Sequence, residues 1–116
     1  MQTSYFAKSA NNPNAVSIAG RAPSWYNGRE YKILAPKYWF FKRYKDKDDE
    51  MYLNQDFYVE NYYNEVLSKL DPQRVLMELG ENAVMLCWEV SGKFCHRHLA
   101  SEWLRANLDI QITELQ

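Results

Sequence analysis

The run AVMLCW, residues 83–88, limits the fold more than any other stretch. It is apolar throughout, of strand length and without alternation, which marks a strand covered on both faces. After it come EVSGKF, a loop; CHRHLASEWLRANL, where Leu99, Trp103 and Leu104 recur at helical spacing; and DIQIT, which alternates as a strand does. A helix between two strands favours a parallel, right-handed crossover. The expected fold is therefore α/β: one small three-layer domain over 1–116, with a mainly parallel, Rossmann-like sheet and helices on both faces.

The preceding residues fit that plan. TSYFA (3–7) and AVSIAG (15–20) lean towards strand and are separated by the turn-rich KSANNPN. In GRAPSWYNGRE, Gly20, Pro23 and the YNGR turn break regular structure and leave Arg21, Trp25 and Arg29 on a loop. YKIL reads as a short extended run before Pro36, Tyr38 to Phe41 as an aromatic cluster, and KRYKDKDDE as a solvated charged turn. From Asn54 onward Phe57, Val59, Tyr62, Tyr63, Val66, Leu67 and Leu70 mark one face of a helix. A second helix has Asp71 as N-cap, Pro72 in its first turn and Gly80 as its stop.

A chain of 116 residues can bury a sufficient core without a disulfide or a metal. Its formal net charge of -1 argues against a general electrostatic grip on nucleic acid. No apolar run reaches the roughly 20 residues that span a bilayer, and the N-terminus lacks the marks of a signal peptide, so a cytoplasmic, membrane-free protein is expected. In a reducing compartment Cys87 and Cys95 are expected as separate thiols.

Ligands of open α/β sheets collect beyond the carboxyl ends of strands, beside helix N-termini. Cys87 and Glu89 fall at that end of the apolar run, and Cys95, His96 and Arg97 open the following helix. Unpaired N–H groups there favour an anion and lower a thiol's pKa. The leading reading is a pocket for a phosphorylated or nucleotide-like small molecule, with Arg97 and Arg21 as anion contacts, Glu89 at the rim and Trp25 stacking on a ring. A second is a cysteine-dependent hydrolase or transferase with Cys95 as nucleophile and His96 as acid or base. The order resembles cysteine phosphatases and sulfur transferases, but Cys87 lies too far from Arg97, and Cys95 too near it, for their tight anion loop. A third is a protein-interaction module, and a homo-oligomer is compatible with any of them.

Cys87 is expected to pack in the core, and His98 to lie on the helix surface. The set Cys87, Cys95, His96 and His98 departs from the paired knuckles of structural zinc sites, so no metal is assigned. Ser4 and Tyr5 read as ordinary packing. The four glycines form neither a phosphate-binding loop nor a dinucleotide fingerprint, so no cofactor is assigned.

VMLCWEVSGKFCHRHLASEWL resembles the signature of the domain-of-unknown-function family numbered 488: LLC(F/Y/W)E, a short loop, CHR(R/H), then an (A)EWL helix. Cys87, Glu89, Cys95, His96, Arg97 and Trp103 fall on that pattern. TSYFA, VSIAGRAPSWYNG, LAP and YNEVLSKLDPQRVLMEL extend the resemblance to the family's compact branch over nearly the whole chain, with KDKDDE a departure. The resemblance implies a small bacterial or phage cytosolic α/β domain, with a phage or defence context for the interaction reading. It implies no particular reaction.

Overall fold

A computed structural model describes residues 1–44 and 51–116, with only the backbone for 51–54. Residues 45–50, most of the charged turn read from the sequence, lie outside the described residues. Among the described residues five strands form one sheet: β1 (Gln2–Tyr5), β2 (Ala15–Ser17), β3 (Arg29–Glu30), β4 (Val84–Cys87) and β5 (Thr113–Glu114), in the order β3-β2-β4-β1-β5. Every pairing is parallel. The helices are α1 (Phe6–Ser9), α2 (Tyr38–Tyr44), α3 (Met51–Glu65), α4 (Pro72–Leu79) and α5 (His96–Asn107). The chain is thus an α/β domain.

The apolar run supplies β4, buried along its whole length at the centre of the sheet. Successive side chains alternate between faces. Met85 joins Val16, Ile18, Tyr58, Tyr62, Val75, Leu99 and Leu104 in the larger core, while Val84 and Leu86 pack with Phe6, Ala15 and Ala19 in a smaller one. Helical layers are therefore unequal: α3, α4 and α5 supply the larger core, whereas the other side has the single turn α1 and Ala22 and Tyr26 of the following loop. The segment after α5 returns as β5, but it pairs with β1 and not with β4. The crossover consequently passes β1 and brings the C-terminal segment beside the first strand.

Several local expectations shift. The first strand ends at Tyr5, where Phe6 opens a helical turn instead of extending the strand to Ala7. YKIL is a 3-10 turn over Lys32–Leu34, not an extended run, and it buries Leu34. The helix expected from Asn54 is already present at Met51, the first described residue there, and stops at Glu65, with a separate 3-10 turn at Leu67–Lys69. Its buried side includes Tyr58, which falls outside the apolar set read from the sequence. Tyr58 packs edge-on to Phe40 with centroids 5.3 Å apart, an arrangement that adds to simple area burial.

Asp71 caps α4 as expected, its Oδ1 accepting the Gln73 N–H at 3.1 Å, and Pro72 occupies the first turn. Gly80 ends the helix at φ 91°, a conformation unfavourable to residues with a Cβ. Asp71→Ala should therefore lower the unfolding free energy by about 1 kcal/mol. Urea denaturation measures this, and a loss below about 0.3 kcal/mol would show that the cap is dispensable.

Candidate functional site

Cys87 is the last residue of β4, and Cys95 is the N-cap of α5. The loop between them turns tightly: Gly92 takes φ 86°, and the Lys93 N–H donates to the Val90 carbonyl at 3.2 Å. This turn returns the chain to the strand end, where the Cys87 and Cys95 sulfurs come into direct contact. The contact thus corrects the expectation of Cys87 as packing alone, since its sulfur meets both Cys95 and the Arg97 guanidinium. A spacing unlike that of a metal knuckle becomes close contact because a strand end and the next helix start meet at the sheet edge.

His96 lies in the first turn of α5 and is 6 % exposed. Its Nε2 is 2.7 Å from the Ile18 carbonyl, an acceptor only, so Nε2 carries the proton and donates. That tautomer leaves the Nδ1 lone pair facing Cys95 Sγ at 3.9 Å. Burial depresses the imidazole pKa to about 4, against a raising effect of the Ile18 carbonyl and with further lowering from Arg97 and His98. His96 is therefore neutral at pH 7 and can accept a hydrogen bond from a thiol there, but it holds no proton to donate as imidazolium. The Tyr62 ring stands edge-on to it at 5.7 Å and fixes its plane from the core side.

Arg97, expected to present its charge to a ligand, is fully buried. Its Nε and Nη2 donate to the two Glu114 oxygens at 3.2 and 2.7 Å, a bidentate pair. Nη1 donates to Cys87 Sγ at 3.2 Å and to the Glu89 carbonyl at 2.7 Å. The guanidinium is neutralised by the protein's own carboxylate, and its remaining reach goes to the cysteine pair. Thr3 Oγ1 and Ser91 Oγ also donate to Glu114, at 2.5 and 2.7 Å. Burial pushes the Glu114 carboxyl up, but the Arg97, Thr3 and Ser91 hydrogen bonds together outweigh it and hold the group at about 2.

Glu114 is the functional residue that sequence reasoning missed. An arginine at a buried helix start calls for an acid, but only the strand order places β5 beside β1 and the acid within reach. Glu89 contributes its carbonyl to Arg97. Arg21 and Trp25 sit on the exposed loop between β2 and β3, with Trp25 57 % accessible. The Arg21 carbonyl accepts the Trp88 indole N–H at 2.8 Å, a contact that ties this loop to the strand end. His98 stands apart from the Cys87, Cys95 and His96 group and is partly buried, with burial the first cause of its lowered pKa. Among the described residues no helix is long and apolar enough to cross a membrane.

Comparison with curated proteins and with solved structures finds no significant match. The family model described as the active DUF488-N3 subclade, DUF488-N3a, matches residues 7–108. That range holds Cys87, Glu89, Cys95, His96 and Arg97 but not Glu114. With most of its length matched, including the strand end and helix start that form the cysteine site, the chain belongs to the DUF488-N3a family.

Proposed function

We propose that this is a cysteine-dependent transfer domain working by thiol–disulfide exchange, with Cys95 as the attacking sulfur and Cys87 as the resolving one. The carrying observation is the cysteine pair in direct contact, flanked by a neutral imidazole on the Cys95 side and a buried guanidinium on Cys87. Cys95 is 7 % exposed against 1 % for Cys87, which gives an incoming group easier access to Cys95. Its place at the start of a 12-residue helix favours the thiolate, and His96 Nδ1 orients the thiol by accepting from it. The hydrogen bond from Arg97 Nη1 favours thiolate on Cys87, the form needed for the second step.

Beginning from the dithiol, the Cys95 thiolate attacks a substrate disulfide, breaking its sulfur–sulfur bond and releasing one half as a thiolate that takes up a proton. Cys87 thiolate then attacks Cys95 Sγ and releases the other half in the same way. The protein loses two electrons and two protons, and the substrate disulfide gains them. An external dithiol restores the starting state. The Arg97–Glu114 ion pair favours this reading over a phosphate pocket built on that guanidinium.

Oxidised glutathione is a suitable probe. In Cys87→Ser the second step is blocked, so intact mass should show one glutathione retained per chain, while the wild type passes to its internal disulfide. Cys95→Ser should form an adduct about tenfold more slowly, through loss of the less deeply buried, helix-start thiol. An equally fast adduct in Cys95→Ser, or none in a folded Cys87→Ser, would overturn the assignment.

A further inference from the structure

We infer that the reduced Cys87–Cys95 pair, together with His96 Nδ1, forms a three-donor site for a soft d10 cation, copper(I) foremost. The inference deepens the exchange reading by giving its dithiol state a ligand, and it rests on the same reduced pair. The two sulfurs and the imidazole nitrogen all lie within 4.8 Å of one another. Three donors about 2.3 Å from one ion would stand about 4 Å apart, as judged from ordinary metal–thiolate lengths. Cys95 Sγ and His96 Nδ1 are already 3.9 Å apart, so the main change required is a wider sulfur–sulfur separation.

The donor types select the ion. Thiolates favour soft cations, and imidazole is compatible with copper and zinc. Zinc takes four ligands, all from the protein in structural sites and three plus a water in an open fourth position in catalytic ones. Here no further His, Cys, Asp or Glu joins the group among the described residues, and all three donor residues are buried. An enclosed three-donor set suits an ion content with low coordination. Loading one copper(I) releases two thiol protons and leaves a single net negative charge on the centre, beside the Arg97 guanidinium at Cys87 Sγ.

The surrounding hydrogen bonds serve the same purpose. Histidine ligands usually donate their other ring N–H to a carbonyl or carboxylate, which fixes tautomer and orientation. His96 does so to Ile18 at 2.7 Å, and the lone pair it frees points towards the cysteine pair. Arg97 Nη1 donates to one sulfur at 3.2 Å, and the Tyr62 ring braces the imidazole.

The test uses the full chain, reduced, metal-free and kept from oxygen, with copper(I) supplied from its bathocuproine disulfonate complex. One copper per chain should be withdrawn from the chelator, with both thiols becoming unreactive to Ellman's reagent. His96→Gln, checked for folding by circular dichroism, should weaken retention by at least about tenfold. X-ray absorption of the loaded wild type should show two sulfurs and one nitrogen, a readout that stands even if the variant fails to fold. No copper retained by the wild type, undiminished retention in folded His96→Gln, or a copper bound by sulfur alone would each overturn the site. Zinc(II) held more tightly than copper(I) in a parallel titration would overturn the low-coordinate assignment. The glutathione reaction of the metal-free protein is read separately, so failure of copper binding and failure of exchange are distinguishable.

Discussion

Glu114→Gln should lower the unfolding free energy at pH 7 by about 3 kcal/mol, the lower end of what removing one partner of a buried ion pair costs. The lower end applies because the Glu114 side chain keeps 18 % of its accessibility whereas Arg97 keeps none. Glutamine keeps the shape but loses the charge, so Arg97 becomes a buried cation without its counter-ion. The pH dependence has a definite sign. The folded carboxyl lies at about 2 against an ordinary value of 4.5, so its contribution is fully present above pH 4.5 and is lost as pH falls towards 2. The difference in stability between wild type and Glu114→Gln should therefore be flat from pH 7 to 5 and shrink between pH 4.5 and 2. Urea denaturation across that range measures it. A gap that stayed constant to pH 2 would show that ionisation of Glu114 is not the source. Arg97→Met combined with Glu114→Gln should cost less than the sum of the single changes, because removing both charges leaves neither unpaired.

The same pair shows which parts of the fold were legible in the sequence. Local signals carried β4, α4 and α5: an unbroken apolar run, an Asp-Pro start with a glycine stop, and Leu and Trp at helical intervals. Each signal is written within a few neighbouring residues, so one sequence suffices to read it. Strand order is not local. Nothing within residues 109–114 says that this strand will pass β4 and pair with β1, yet that step brings Glu114 to Arg97. For the same reason Arg97 reads from the sequence as a ligand contact, and its internal partner emerges only with the fold. Cys95, His96 and Arg97 do come together at one sheet edge, but the sulfur that links them there is Cys87, which apolar patterning alone assigns to packing. Tyr58 is not legible as core because the tyrosine-rich helix offers aromatic residues around much of its circumference, and packing against Phe40 and Phe94 selects the buried side.

Tyr62→Ala should cost about 3–5 kcal/mol, the range for truncating a buried aromatic side chain, and should reach the site as well as the core. Tyr62 is fully buried, and its hydroxyl donates to the Leu34 carbonyl at 2.6 Å. It therefore ties the 3-10 turn at Lys32–Leu34 to α3, while its ring edge meets His96 at the start of α5. Tyr62→Phe separates these duties: it keeps the ring and leaves the Leu34 carbonyl without that donor, at a cost of about 1–3 kcal/mol. Stability should follow the order wild type, phenylalanine, alanine. Reactivity of the reduced cysteines towards Ellman's reagent should remain near wild type in Tyr62→Phe and fall in Tyr62→Ala, because only the latter removes the ring that holds His96 as an acceptor beside Cys95. Equal thiol reactivity in a folded Tyr62→Ala would mean that Ile18 alone fixes the imidazole. In that case the hydrogen bond from Nε2, made across the sheet edge to the segment after β2, is the main constraint on the lone pair facing Cys95.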